Sequence, residues 1–144
     1  MKITFHGAAQ EVTGSCNLIE FKNVLVGEVW LCTGQSNMEM PIGRAKEWSV
    51  NNFEEVTATA NNPMIRHIKI EREVNTLPQN NVNASKSWQV CDSATVGDFT
   101  AAGYFFAKNV YDELKIPIGL INVSWGGTNI ETWISREAFE SSEE

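Results

Sequence analysis

Apolar and polar positions along the chain predict strands separated by helices. The apolar run at residues 24–31 ends shortly before Gly34, which predicts a strand that leads into a sharp turn. Met64–Ile70 alternates apolar with polar side chains and is rich in β-branched residues, so it predicts a second strand. Ile118–Ser124, which follows a proline, predicts a third strand.

One long helix is expected between the second and third strands. Thr100 is placed to cap its amino terminus, and Phe106, Val110 and Leu114 recur at four-residue steps that predict its buried stripe. The helix is expected to end before Pro117, because the residue that precedes a proline disfavours helical geometry. This order of elements predicts an α/β fold with a mostly parallel sheet flanked by helices.

The remaining segments predict loops and short elements. Residues 41–62 predict a loop with a short helix, and residues 75–87, which contain four asparagines, predict a surface loop. Ser135 is expected to cap a last helix that runs through Phe139. Residues 1–21 contain two short β-type runs and predict a hairpin, and the α/β pattern follows at residues 22–144.

The charge balance narrows the class of partner. The 144 residues carry a formal net charge of −7 and offer no basic patch to neutralise phosphates. We therefore expect no nucleic acid and no membrane as partner. Neutral, sugar-like substrates are compatible with this negative net charge. No segment approaches the ~20 apolar residues of a membrane helix, and Met1–Gly7 lacks the apolar stretch of a secretory signal.

The residues after the first predicted strand carry the strongest indication of chemistry. Cys32–Glu39 reads Cys-Thr-Gly-Gln-Ser-Asn-Met-Glu, so Ser36 stands at the carboxyl end of a strand, where open α/β sheets bind their ligands. Gly34 can adopt backbone conformations closed to other residues and permits the turn that exposes the Ser36 hydroxyl. A Gly-x-Ser sequence alone is more often an ordinary turn, so the interpretation depends on the rest of the chain.

Two separated motifs support a functional interpretation. Gly34–Met38 resembles the first block of the SGNH hydrolases, in the branch that contains sialate O-acetylesterases and related carbohydrate acetylesterases. Residues 116–135, with Trp-Gly-Gly-Thr followed by Glu-x-Trp, resemble the second block of that branch. Residues 87–91 and 96–107 also resemble it, so the likeness spans about residues 23–138.

The resemblance implies a flavodoxin-like, three-layer fold and a serine esterase that hydrolyses O-acetyl esters on sugars without a metal or organic cofactor. It implies that Ser36 is the nucleophile and that the N–H groups of Ser36 and Gly127 form the oxyanion hole. Trp125 and Trp133 either stack against a sugar or belong to the core. The other candidate substrate-binding positions, which either bind sugar hydroxyls or brace the two turns, are Gln35, Asn37, Gly126 and Glu131.

The catalytic base is the missing part. In this family a histidine in an Asp-x-x-His block activates the serine, and a Gln-Gly-Glu-x-Asn block supplies a further oxyanion donor. Neither block occurs before Glu144, and the only histidines are His6 and His67. We expect His67 to be a half-exposed strand residue rather than the base. The sequence therefore predicts the front part of an esterase domain, truncated before its acid–base pair and inactive alone.

A second hypothesis is a non-catalytic fragment or chimera that forms a homodimer through an open sheet edge. Residues 1–21 resemble the opening strand pair of RNA-processing metallo-β-lactamase-fold nucleases, which implies a hairpin of different origin from the partial SGNH hydrolase domain at residues 22–144. Those nucleases bind two metals through His-x-His-x-Asp-His, which this chain lacks. Cys16, Cys32 and Cys91 have no C-x-x-C spacing, so we expect buried thiols and no metal site.

Overall fold

The strands and helices follow the predicted alternation. The computed structural model describes residues 2–6, 16–43, 48–75 and 77–142. Its elements are β1 Lys2–His6, β2 Cys16–Glu20, β3 Glu28–Gly34, α1 Ser36–Glu39, α2 Phe53–Thr59, β4 Asn61–Lys69, β5 Gln89–Asp92, α3 Ala101–Leu114, β6 Ile118–Ser124 and α4 Arg136–Glu140. Short 3₁₀ turns lie at Val96–Asp98 and Ile130–Trp133. Within the described ranges, no helix is long and apolar enough to cross a membrane.

A four-stranded sheet with the order β3-β6-β4-β5 organises the fold. β3, β6 and β4 are parallel, whereas β5 runs antiparallel to β4. β1 and β2 form a separate antiparallel pair in which Lys2 lies opposite Glu20. The predicted α/β class with a mostly parallel sheet is therefore confirmed. β5 is an addition to the predicted pattern, because a strand of four residues is too short to give a periodic signal.

β6 lies in the interior of the sheet, and every second residue along it is buried. Alternate residues of this strand, Ile118, Leu120, Asn122 and Ser124, are all buried. Because alternate residues of a strand point to one face, these four side chains share the same side of the sheet. Helix α3 covers that face: a methyl group at Gly103 would lie 3.5 Å from the Leu120 side chain.

The buried face of α3 differs from the predicted stripe. Val110 is partly buried, but Phe106 is 40% exposed and Leu114 is 60% exposed. The residues that α3 buries are Ala101, Gly103, Tyr104 and Ala107. A methyl group at Gly103 would lie 2.9 Å from Cys32 Sγ, so the helix packs too close to the sheet for larger side chains. The predicted stripe was wrong because it followed large apolar residues, whereas this contact requires small ones.

The ends of the helices follow their local sequence signals with one exception. α3 ends before Pro117 as predicted, and Lys115 adopts the left-handed conformation there, with φ +56°. Ser135 caps α4 as predicted, because its hydroxyl accepts from the Ala138 N–H at 3.2 Å. Thr100 precedes α3, but its hydroxyl donates to the Met38 carbonyl at 2.6 Å instead of capping the helix. Thr100 therefore joins α3 to α1, the helix that begins with Ser36.

Candidate active site

The turn from Gly34 to Ser36, the serine turn, has the predicted geometry. β3 ends at Gly34, whose φ of +143° is a conformation that favours glycine. α1 begins at Ser36, so the serine stands at the carboxyl end of a parallel strand, and it is exposed. The Gln35 carbonyl accepts hydrogen bonds from the N–H groups of Met38 and Glu39, at 3.0 and 2.9 Å. These bonds close the turn that presents the hydroxyl.

The turn formed by Gly126 and Gly127 after β6, the glycine turn, lies directly against the serine turn. β6 pairs with β3 over its whole length, and the Trp125 N–H donates to the Gly34 carbonyl at 2.9 Å. A methyl group at Gly126 would lie 3.6 Å from Ser36 Cα. The parallel pairing of β3 with β6 therefore brings the two sequence motifs together, as expected for the carboxyl ends of neighbouring strands.

The two glycines of this turn meet different constraints. A methyl group at Gly126 would lie 2.8 Å from Glu39 Oε2, so a side chain there requires the Glu39 carboxylate or the turn to shift. Gly127 has φ +79°, and a methyl group at this position would meet no described atom within 4 Å. Gly127 is therefore required for its backbone conformation, and the space beside it is open among the described residues.

Cavities lie on both sides of the glycine turn. One, of about 520 Å³, lies between the segment after β4 and the segment after β6, and Trp125 and Trp133 line it. The Trp133 indole N–H donates to Thr128 Oγ1 at 2.9 Å, and the Arg72 guanidinium lies 5.6 Å from the centre of the Trp125 ring. Both tryptophans are partly buried. A smaller cavity, of about 230 Å³, lies between Gln35 and Trp133.

The other predicted site residues are exposed. Gln35 and Asn37 flank Ser36 at the junction of β3 and α1, and both are exposed. Glu131 lies in the 3₁₀ turn that follows the glycine turn and is also exposed. Exposed polar side chains at these positions are available to hydrogen-bond a polar ligand.

His67 is buried, which corrects the expectation of a half-exposed strand residue. It is 3% exposed, because β4 lies inside the sheet between β6 and β5. His67 pairs with Leu120, four positions before Ser124, the partner of Gly34. At ~3.3 Å per residue this places the histidine roughly 13 Å along the strands from the end of β3. His67 is therefore out of hydrogen-bonding reach of the serine turn.

The electrostatic environment of His67 also opposes a role as base. Burial, assisted by the positive charge of nearby Lys69 and partly opposed by Asp98, lowers its pKa from 6.5 to about 4. Among the described residues, His67 Nε2 has no hydrogen-bond partner. The side chain of the other histidine, His6, lies outside the described residues.

Two of the three cysteines, Cys32 and Cys91, are buried in the core. Cys32 and Cys91 are 6% and 1% exposed, and burial raises the pKa of both thiols. The expectation of buried thiols is confirmed for these two, whereas the side chain of Cys16 lies outside the described residues. In the described part of the chain, no three His, Cys, Asp or Glu side chains form a group that could hold a metal ion.

Glu39 is the residue of this region that sequence reasoning missed. It is 5% exposed, and its Oε2 accepts a hydrogen bond from the Gly126 N–H at 2.7 Å. Its Oε1 forms an ion pair with Arg72 and lies 4.0 Å from Lys69 Nζ. The one available indication was its position three residues after Ser36, which places both residues on one face of a helical turn.

Comparison with known proteins identifies the family. The family model for carbohydrate esterases, described as sialic acid-specific acetylesterase, matches residues 26–142. The chain belongs to this family. It is 35% identical to the sialate O-acetylesterase of Mus musculus and 32% identical to that of Homo sapiens, and each match covers 95% of the chain. These matches cover 26% and 27% of the two relatives, so the chain spans about a quarter of their length.

A solved structure supports the acetylesterase fold. A carbohydrate acetylesterase from Xanthomonas citri superposes with a TM-score of 0.74 at 34% sequence identity. The superposition covers 89% of this chain and 28% of that one. The predicted SGNH-type esterase fold is therefore confirmed, and the sequence is that of a sialate O-acetylesterase-like carbohydrate esterase domain.

Proposed function

We propose that this chain supplies the nucleophile and part of the oxyanion hole for hydrolysis of O-acetyl esters on sugars. Ser36 Oγ attacks the acetyl carbonyl, and the N–H groups of Ser36 and Gly127 stabilise the charge that develops on its oxygen. The observation that carries the proposal is the position of the glycine turn, where a methyl group at Gly126 would lie 3.6 Å from Ser36 Cα.

The substrate class follows from the surroundings of the serine. The exposed amide groups of Gln35 and Asn37 can hydrogen-bond sugar hydroxyls, and exposed Glu131 can do the same from the 3₁₀ turn that follows the glycine turn. Trp125, whose ring Arg72 partly covers, and Trp133 line the 520 Å³ cavity. An acetylated sugar fits this combination of hydroxyl-binding groups and flat apolar surfaces, and the family membership supports it.

The chain alone is expected to be a poor catalyst. When Ser36 attacks, its proton must pass to a base, and the departing sugar oxygen must then receive a proton. His67 is buried in the sheet with a lowered pKa and is too far along β4 to do this. Without its base a serine site retains about 10³- to 10⁴-fold catalysis over water, which comes from the oxyanion hole and from substrate binding.

Turnover of a chromogenic acetate and covalent labelling test this proposal together. We expect wild-type turnover close to that of Ser36→Ala, and slow labelling by a fluorophosphonate that peptide mapping assigns to Ser36. His67→Ala is the matched variant for the alternative base, and it is expected to match wild type in both assays. Equal labelling of wild type and Ser36→Ala would refute the assignment of Ser36 as the nucleophile. Turnover by wild type that is lost in His67→Ala would show that His67 serves as the base.

An interaction role is the second candidate, and the exposed edge of β3 favours it. β3 pairs with β6 on one side, and among the described residues no strand pairs with its other side. Val29, Trp30 and Leu31 are 60%, 44% and 63% exposed. Unpaired strand edges with apolar side chains promote association, so we propose a homodimer through β3.

Sedimentation velocity over a concentration series tests the dimer. Leu31→Lys places a charge on the edge strand and is expected to shift the chain to monomer. Val74→Lys introduces the same charge on a loop residue that is 86% exposed, and it is expected to leave the dimer intact. A wild-type chain that stays monomeric at every concentration would exclude this role.

A further inference from the structure

We propose that Glu39 is a positioning residue that fixes the Gly126–Gly127 turn against Ser36. This inference rests on the proposed function, because it assigns Glu39 a part in arranging the nucleophile and the oxyanion donor. Glu39 lies at the end of α1, the helix that begins with Ser36. One side chain therefore links the element that carries the nucleophile to the turn that faces it.

The direct link is a hydrogen bond to the turn backbone. Glu39 Oε2 accepts from the Gly126 N–H at 2.7 Å, the short distance typical of bonds to a carboxylate. Because this N–H is committed to Glu39, the next amide, that of Gly127, is the one that the proposed mechanism uses. The absence of a side chain at Gly126 is what allows the carboxylate to approach so closely.

A second, indirect link passes through Arg72. Glu39 Oε1 forms an ion pair with Arg72, whose guanidinium lies 5.6 Å from the centre of the Trp125 ring. Trp125 immediately precedes Gly126, and a cation over an indole face is an attractive contact. Glu39 therefore acts on the turn twice, at the backbone of Gly126 and through the side chain that covers Trp125.

The burial of Glu39 explains why this arrangement depends on a charged residue. Glu39 is 5% exposed, and a buried carboxylate is tolerated only when it is paired and hydrogen-bonded. Arg72 and Lys69 supply the positive charge, and Gly126 supplies the hydrogen bond. Removal of the carboxylate would leave the Gly126 N–H and the Arg72 guanidinium without this partner, so the turn would lose both restraints at once.

Two measurements on the same variants test the proposal. Glu39→Ala removes the acceptor, Glu39→Gln keeps a neutral acceptor, and Glu113→Gln is the control at an exposed position of α3. The first measurement is the hydrogen-exchange rate of the Gly126 amide by NMR. In Glu39→Ala we expect this exchange to be roughly 10- to 100-fold faster, because the amide loses one hydrogen bond to a charged group. Glu39→Gln is expected to give an intermediate rate.

The second measurement is the rate of Ser36 labelling by a fluorophosphonate, with Ser36→Ala as background. A turn displaced by about 1 Å is expected to slow labelling by roughly 10- to 100-fold in Glu39→Ala. In Glu39→Gln, slower labelling at an unchanged melting temperature separates positioning from a purely structural role. If Glu39→Ala does not fold, Glu39→Gln carries both measurements.

The outcomes distinguish this inference from the proposed function. If the hydrogen-exchange rate of the Gly126 amide is unchanged in a folded Glu39 variant, the positioning role is overturned. It is also overturned if that exchange becomes faster while the rate of Ser36 labelling stays the same. Wild-type labelling no faster than that of Ser36→Ala overturns the proposed function itself. In that case the exchange rate alone decides whether Glu39 fixes the turn.

Discussion

The imidazole ring of His67 stacks on the phenyl ring of Phe99, with ring centres 4.5 Å apart and ring planes inclined by 19°. Phe99 is fully buried and His67 is 3% exposed, so burial holds the histidine as a neutral ring. The charged groups that act on it are Lys69, which disfavours its protonation, and Asp98, which favours it. A histidine in this setting is a determinant of stability rather than of catalysis.

Acid is therefore expected to destabilise the fold through His67. The pKa of His67 is about 4 when folded and 6.5 when unfolded, so between these pH values the unfolded chain binds more protons. Stability falls as the pH decreases through that window, and the contribution between pH 7 and pH 5 is about 2 kcal/mol. Urea unfolding at both pH values should show this difference in wild type and its absence in His67→Gln. Parallel losses in the two proteins would contradict the prediction.

A methyl group added at Gly103 is expected to destabilise the protein even though it favours the helix. It would lie 2.7 Å from Thr100 Cγ2 and 2.9 Å from Cys32 Sγ, inside the contact between α3 and the sheet. Overpacking of this kind costs about 1–3 kcal/mol, against a gain of about 1 kcal/mol in helix propensity. Denaturant unfolding of Gly103→Ala measures the balance, and Ala102→Gly on the exposed face measures the propensity alone. A more stable Gly103→Ala would show that the helix can move away from the sheet.

Features that act through the local backbone were predictable from the sequence, and features that depend on distant partners were not. Gly34 and Pro117 determine the conformation of their own segments, so the serine turn and the end of α3 were predicted correctly. The burial of His67 depends on β4 lying between β5 and β6, an order that no single segment specifies. The role of Glu39 was missed because its partner, Gly126, is brought to it only by the pairing of β3 with β6.

The two glycines of the turn are expected to respond differently to alanine. Gly126→Ala would place a methyl group 2.8 Å from Glu39 Oε2 and 3.7 Å from Ser36 Cβ, so it should displace the turn and slow fluorophosphonate labelling of Ser36 by roughly 10- to 100-fold. Gly127→Ala meets no described atom within 4 Å and retains its N–H. Gly127→Ala is expected to cost about 1 kcal/mol of stability, because alanine disfavours a positive φ. It should slow the labelling of Ser36 less than Gly126→Ala does. Equal losses of labelling would mean that conformation, rather than contact with Glu39, controls the turn.

The buried thiols are expected to be unreactive in the folded chain. Burial raises the pKa of Cys32 and Cys91, so both stay protonated near neutral pH, and the thiolate is the reactive form. In a Cys16→Ser background, Ellman's reagent should label no thiol rapidly under native conditions and two thiols in denaturant. A fast native reaction assigned to Cys32 by peptide mapping would mean that β3 opens away from α3. Because Cys32 lies two residues before Gly34, such opening would also disturb the turn that presents Ser36, and the thiol assay would then report on the integrity of the candidate active site.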